Sequence, residues 1–322
     1  MSASAIPVGN LREVQDVDER YRLETGTIYL TGSQALVRLL LLQAQRDREA
    51  GLNTAGFVSG YRGSPLGGID QEFWRARAFL ERVPIHFQPG VNEELAATAV
   101  WGSQQINLFP ASRYDGVFGF WYGKGPGVDR SGDAFKHANF AGTAKHGGVL
   151  VAAGDDHVCK SSTLPHQSEY GFIDAMIPLL NPTDVQDVLE LGLMGYGLSR
   201  FSGCWVGLKM TEGNADSSQT VLIPRKLEIV QPEFEVPEGG LHIRWPDEPN
   251  DQEYRLQHYK IYAALAFARA NQLNRVVIDG PRPRFGIVST GKAYLDVLQA
   301  LEDLGIDKER AGEIGIKLFK VG

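Results

Sequence analysis

Residues 59–70 read SGYRGSPLGGID, and residues 88–102 read QPGVNEELAATAVWG. The first stretch is a turn leaving a short apolar run, Ala55–Gly60. Gly63 is free to take a strained backbone angle there, and Pro65 fixes the exit. The second opens a helix: Asn92 is a good N-cap residue, and Glu93 and Glu94 fall in the first turn, where unsatisfied N–H groups favour negative charge. Ala96, Ala97, Ala99, Gly102 and Ser103 then give the helix little side-chain bulk, so another backbone or a flat ring can approach it closely.

Working outward, short apolar runs alternate with helical patterns. Strands are expected at Ala55–Gly60, Ile85–Gln88, Gly116–Tyr122, Gly147–Gly154 and Cys204–Met210, and helices from Asn92, Ser131 and Asp184. An earlier helix, capped by Ser33, carries Leu36, Val37, Leu40, Leu41 and Ala44 at helical spacing and stops at Gly51. Such alternation implies crossovers and a doubly wound, largely parallel α/β sheet, whose ligands bind beyond the carboxyl ends of its strands. The Tyr61–Pro65 turn, a Gly123–Gly127 loop and an Asp155–Ser162 loop each follow a strand, so all three are expected at that edge.

In order and spacing, Gly60-Tyr61-Arg62-Gly63-Ser64-Pro65, Asn92-Glu93 with Ala97 and Gly102, and Gly154-Asp155-Asp156 with Ser161-Ser162 resemble the thiamine-diphosphate-dependent 2-oxoacid:ferredoxin oxidoreductases. The nearest resemblance is to the long, fused indolepyruvate ferredoxin oxidoreductases, over roughly Ile28 to Gly322. It implies a pyrimidine-binding α/β domain. Glu93 would be the catalytic residue, hydrogen-bonding the cofactor's pyrimidine nitrogen. Glu94 is its neighbouring rival, one residue short of the family spacing to Gly102. Gly63 and Ser64 would lie beside the cofactor, with Ser64 and Arg62 toward the substrate. Many relatives carry proline where Arg62 stands, which is a departure. Asp155, Asp156, Ser161 and Ser162 would form a loop at the site's rim.

Each residue also has a plainer reading: Glu93 and Glu94 as solvated first-turn acids, Ser64 as the cap of a surface turn. Lys124 either guides a 2-oxo acid from a mobile loop or is a solvated lysine. The sequence GKGPGVD lacks the G-x-x-x-x-G-K-[ST] order of a nucleotide-triphosphate loop. Asp155, Asp156 and His157 are consecutive on an extended chain, point in alternating directions and make a poor chelate, so no metal site is expected in this chain. His166 reads as a polar loop residue.

Composition sets the outer bounds. The 322 residues are 43% hydrophobic and 22% charged with a net charge of −7, as in a globular chain of one large or two medium domains. The acidic excess gives no reason to expect nucleic acid or an anionic membrane. No apolar run approaches the length of a bilayer span and the N-terminus has no secretory pattern, so a cytoplasmic location is expected. Cys159 and Cys204 are the only cysteines and form no C-x-x-C pair. A 4Fe-4S cluster would have to lie outside this chain. So would the diphosphate and Mg²⁺ half of the cofactor site, because no G-D-G motif occurs.

The expected organisation is an N-terminal arm over 1–26, a pyrimidine-binding domain over 27–223, and a proline- and glutamate-rich linker over 224–251. A second α/β domain is expected to start at 252 and to be cut at 322. The implied reaction is oxidative decarboxylation of indolepyruvate or a related 2-oxo acid to an acyl-CoA, with electrons passing to ferredoxin in a homo-oligomeric full-length enzyme. The rival readings are a non-oxidative thiamine-diphosphate enzyme and a non-catalytic partner subunit with the same fold.

Overall fold

The computed structural model describes residues 16–160 and 164–322. Eleven strands among them form three sheets: β1 Thr27–Thr31, β2 Thr54–Gly60, β3 Ile85–Phe87, β4 Gly116–Lys124, β5 Val149–Asp155, β6 Leu179–Leu180, β7 Val206–Thr211, β8 Ser218–Leu222, β9 Arg275–Ile278, β10 Phe285–Thr290 and β11 Ile316–Val321. The central sheet has order β3-β2-β4-β5-β7-β6 and is parallel throughout. It is doubly wound. Every residue of β5 is buried, as a strand covered on both faces requires.

Alternation along the strands separates two cores. Phe118, Phe120, Tyr122, Leu150 and Leu208 face the helices Gly32–Glu49, Ile69–Arg75 and Val185–Ser202. Trp121, Val149, Val151 and Ala153 face Glu93–Ser103, Gly132–Ala141 and Glu169–Asp174. From the edge strand β3, the Glu93–Ser103 helix crosses back over β2 to feed β4, so its N-terminus opens at the topological switch of the sheet. That is where an open parallel sheet leaves a crevice.

Local chemistry sets the boundaries. Asn92 caps the Glu93–Ser103 helix by accepting from Leu95 N at 2.9 Å, and Asp184 caps Val185–Ser202 through Asp187 N. The first long helix starts earlier than expected. Thr31, not Ser33, is its N-cap, in a reciprocal capping box with Gln34. Gly32 permits the helix to start this close to its neighbour, because a β-carbon there would lie 1.8 Å from the Asn214 carbonyl oxygen. A second correction concerns Gly123–Gly127. The expected loop is absent: β4 continues to Lys124, and a helix, Gly125–Arg130, starts at the next residue.

Beside the main sheet, β1 pairs antiparallel with β8, and β9, β10 and β11 make a small mixed sheet. No regular element occupies residues 223–248. The helix after them starts at Pro249 and runs to Ala270 through a π-helical turn, Leu256–Lys260. The buried Lys260 ammonium donates to the carbonyls of Asn139 (2.6 Å) and Phe140 (3.2 Å) and so closes the C-terminus of the Gly132–Ala141 helix. No described helix is long and apolar enough to cross a membrane.

The small sheet is tied to the large one by Lys320, 3% exposed, whose ammonium lies 2.6 Å from Asp187 on the Val185–Ser202 helix. Burial would raise the Asp187 carboxyl, but the Lys320 charge and the Thr183 hydrogen bonds outweigh it and hold the group low. Lys320→Met should therefore cost about 3 kcal/mol by leaving a buried carboxylate unpaired. Chemical unfolding of the two proteins at neutral pH measures this. The depressed carboxyl gives stability above its unfolded pKa and loses it as pH falls through the folded one, so the difference should shrink in acid.

His242 adds a second acid sensitivity. Burial first, and the Lys260 charge second, push its imidazole down from 6.5 to about 4. Above pH 6.5 both states are neutral. Between 6.5 and 4 only the unfolded chain takes the proton, and about 3 kcal/mol of stability should disappear. A pH series of unfolding curves on His242→Gln should lack that loss.

Candidate functional site

The carboxyl ends of β2, β4 and β5 bring the Tyr61–Pro65 turn, the acid and the rim together through contacts that leave no room for side chains. Tyr61 N donates to the Tyr122 carbonyl (3.0 Å), and Gly90 N donates to the Gly60 carbonyl (2.8 Å). The Tyr61–Pro65 segment thus leaves β2 across the top of β4. A β-carbon on Gly63 would lie 2.6 Å from Lys124 Cδ, and one on Gly154 would lie 3.0 Å from Pro65 Cδ. The turn reaches from β2 to β5, with the stem of Lys124 beneath it. Gly63, Ser64 and Lys124 are half-buried, whereas Arg62 is exposed.

Glu93 and its rival separate by burial. Glu93 is buried at 9% exposure, and Glu94 is exposed. The backbone at Glu93 is held by Trp121, whose indole N–H donates to its carbonyl at 3.0 Å. Its side chain lies against the first turn of the Gly125–Arg130 helix. A β-carbon on Gly127 would sit 2.5 Å from Glu93 Cγ and 3.1 Å from Oε1. The carboxylate makes no hydrogen bond or ion pair among the described residues. Its oxygens are therefore open to a partner from outside these residues.

The small-residue helix divides in two. Ala96, Ala97 and Val100 are buried against Trp121 and Phe135, while Thr98, Ala99 and Gly102 are exposed. The buried alanines let the helix sit low on the sheet, which brings Glu93 to the level of the strand ends.

Asp155 and Asp156 are both buried, but Asp155 is not a ligand in waiting. It accepts from Ser168 N and from Ser168 Oγ at 2.5 Å, and its carboxylate lies 3.3 Å from the Lys209 ammonium. Lys209 also pairs with Glu169. Asp155 therefore anchors the far side of the rim loop to β7. Ser161 and Ser162 lie outside the described residues. Among the described residues, no group of three or more His, Cys, Asp or Glu side chains is arranged to hold a metal ion.

Two contributors were not assigned to the site by the sequence analysis. Lys209 is a charged residue inside the apolar strand VGLKMT, and it is 7% exposed. A lysine in such a run needs a buried partner, which is a usable signal for an acid at the end of a neighbouring strand. His166 gave no such signal. Its ring lies on Gly125, and its partners, Asp129 and Asp155, come from two other elements.

Comparison with known proteins agrees with this architecture. Residues 275–322 match the family described as the indolepyruvate oxidoreductase domain. The chain is 25% identical over 290 residues to the indolepyruvate oxidoreductase subunit IorA of Methanothermobacter thermautotrophicus, covering 88% of this chain and 42% of that one. It is 24% identical over 299 residues to the IorA subunit of Pyrococcus abyssi, covering 89% and 41%. It thus spans about two fifths of the length of these relatives. Its fold is shared with the 2-oxoglutarate:ferredoxin oxidoreductase of Magnetococcus marinus, solved with 2-oxoglutarate, coenzyme A and succinyl-CoA bound: TM-score 0.65 and 15% identity, over 92% of this chain and 54% of that one. In sequence the chain is thus similar to subunits of indolepyruvate oxidoreductases, and in fold to a 2-oxoacid:ferredoxin oxidoreductase.

Proposed function

We propose that this chain supplies the aminopyrimidine side of a thiamine-diphosphate site in a 2-oxoacid:ferredoxin oxidoreductase. The observation that carries the proposal is Glu93: a buried carboxylate with no partner among the described residues, opening at the switch point of a parallel sheet beside a turn paved with glycine. Those features fit a flat heterocycle with one ring nitrogen in hydrogen-bond reach of the acid. The reaction would be oxidative decarboxylation of indolepyruvate or a related 2-oxo acid to its acyl-CoA, with ferredoxin as electron acceptor. The diphosphate, Mg²⁺ and 4Fe-4S groups would be held outside this chain, in an assembly that includes more than one copy of it.

When bound, thiamine diphosphate supplies the carbanion chemistry of decarboxylation. Glu93 holds a proton at the pyrimidine ring nitrogen, and Gly127 fixes the direction of its carboxylate by leaving only that space. Gly63 and Ser64 border the cofactor and orient it or the substrate. Lys124, its stem pinned beneath Gly63, brings a positive charge to the edge where a 2-oxo acid carboxylate would arrive. Arg62, exposed at the outer turn, would act at an earlier stage, attracting the anion. The Asp155–Asp156 rim closes the β5 side.

Two substitutions test this reading in the intact enzyme. Glu93→Gln should lower turnover of indolepyruvate by at least about 100-fold, the scale of a lost proton-transfer group, while the unfolding midpoint hardly moves. Wild-type turnover in that variant would end the thiamine assignment. Gly127→Ala should push the Glu93 side chain aside and cost about 1–3 kcal/mol of overpacking. Its diagnostic is weaker thiamine diphosphate binding in a calorimetric titration; unchanged affinity would show that Glu93 does not need the glycine's space.

A further inference from the structure

The helix against which Glu93 rests is itself held from its opposite side by one imidazole. The His166 ring covers Gly125 so closely that a β-carbon there would lie 2.2 Å from its Cγ and Nδ1. Its Nε2–H donates to Asp129 Oδ2 at 2.7 Å. Gly125 and Asp129 are four residues apart, so one side chain spans a full turn of the Gly125–Arg130 helix. Behind the ring stands Asp155, with Oδ1 3.8 Å from Nδ1. That nitrogen is buried and makes no hydrogen bond among the described residues. Asp155 cannot give way, because Ser168 and Lys209 hold it to β7 and the start of the Glu169–Asp174 helix.

The geometry points to His166 as a positioning residue for Glu93. It clamps the Gly125–Arg130 turn between a fixed acid and its own bond to Asp129, and so sets how far Gly127 stands from the Glu93 carboxylate. The clamp acts through contacts alone: Lys209 to Asp155, Asp155 to the ring, the ring to Gly125 and Asp129, and Gly127 to Glu93. It has a directional consequence. Glu93 has no hydrogen bond to hold its carboxylate among the described residues, so its aim depends on that packing, and an error of a few tenths of an ångström is felt at the heterocycle. This inference rests on the assignment of Glu93 as the pyrimidine partner.

The experiment uses the intact enzyme with four single variants, Glu93→Gln, His166→Asn, His166→Gln and Asp129→Ala, and the double variant His166→Asn/Asp129→Ala. Two quantities are read: thiamine diphosphate affinity by titration, and the near-ultraviolet circular dichroism of the aminopyrimidine at saturating cofactor. The second reports the ring's protonation pattern, which a general loss of stability would not change once the site is full. His166→Asn, whose amide falls short of Asp129, should weaken binding about tenfold and alter the dichroism. Asp129→Ala, at an exposed position that the fold does not depend on, should do the same, and the double variant should be no worse than either alone. His166→Gln, which keeps an N–H in reach of Asp129, should restore most of both signals. If Glu93→Gln loses the dichroic signature while His166→Asn and Asp129→Ala keep wild-type affinity and signature, the clamp is refuted and Glu93 keeps its role. If Glu93→Gln itself behaves as wild type, the assignment on which the clamp rests has failed first.

Discussion

At the mouth of this sheet the constraint is volume: four chain segments meet at three points where a β-carbon would not fit. Glu93 lies over Gly127, Lys124 lies under Gly63, and Pro65 lies over Gly154. The last two contacts join the carboxyl end of one strand to the turn after another, and the first joins the starts of two helices that follow strands. The rim is therefore one packed unit, whose parts cannot shift independently. The same packing buries most of Glu93 and leaves its carboxylate without a partner among the described residues. The alanines beneath it serve the same end, since a bulkier residue at Ala96 or Ala97 would lift the helix and Glu93 away from the strand ends.

Much of this was legible in the residues. Strand–helix alternation fixes the parallel sheet, and the N-cap Asn92 fixes where the helix begins, so Glu93 follows in its first turn. Burial then separates Glu93 from Glu94, which spacing alone does only by comparison with a family. The failures have local physical causes. Ser33 is a good capping residue, but the T-x-x-Q pattern beginning at Thr31 offers two reciprocal hydrogen bonds instead of one. The glycines of GKGPGVD suggest a loop, but Lys124 still pairs with β5 opposite Gly154, and Pro126 sits within the first two residues of a helix, where its missing N–H costs nothing.

What the sequence could not show is side-chain reach between elements. His166 is 37 residues from Asp129 and 11 from Asp155, and no periodicity links them. Lys209 shows the opposite case. A lysine flanked by apolar residues in a strand announces a buried partner without saying which, and the register of β5 against β7, Ala153 opposite Lys209, places Asp155 two residues further along. Buried charge is thus a better guide to the rim than the glycines, though Lys209 was not used as one, because its cost requires a nearby counter-charge, whereas a glycine only permits closeness.

The two anchors of the rim differ in kind, and this bears on how the site can work. On the β7 side, Asp155 is fixed by an ammonium and a hydroxyl in full burial, so that side is rigid. On the β4 side, the Gly125–Arg130 turn is fixed by a half-buried imidazole whose other partner, Asp129, faces solvent. A hydrogen bond to an exposed acid contributes little to global stability. It still selects among turn positions that differ by a fraction of an ångström, since that selection requires far less energy than folding does. Stability and alignment are therefore carried by different residues here: the deep Lys209–Asp155 pair holds the framework, and the shallower His166–Asp129 bond sets the distance at which Glu93 meets whatever enters.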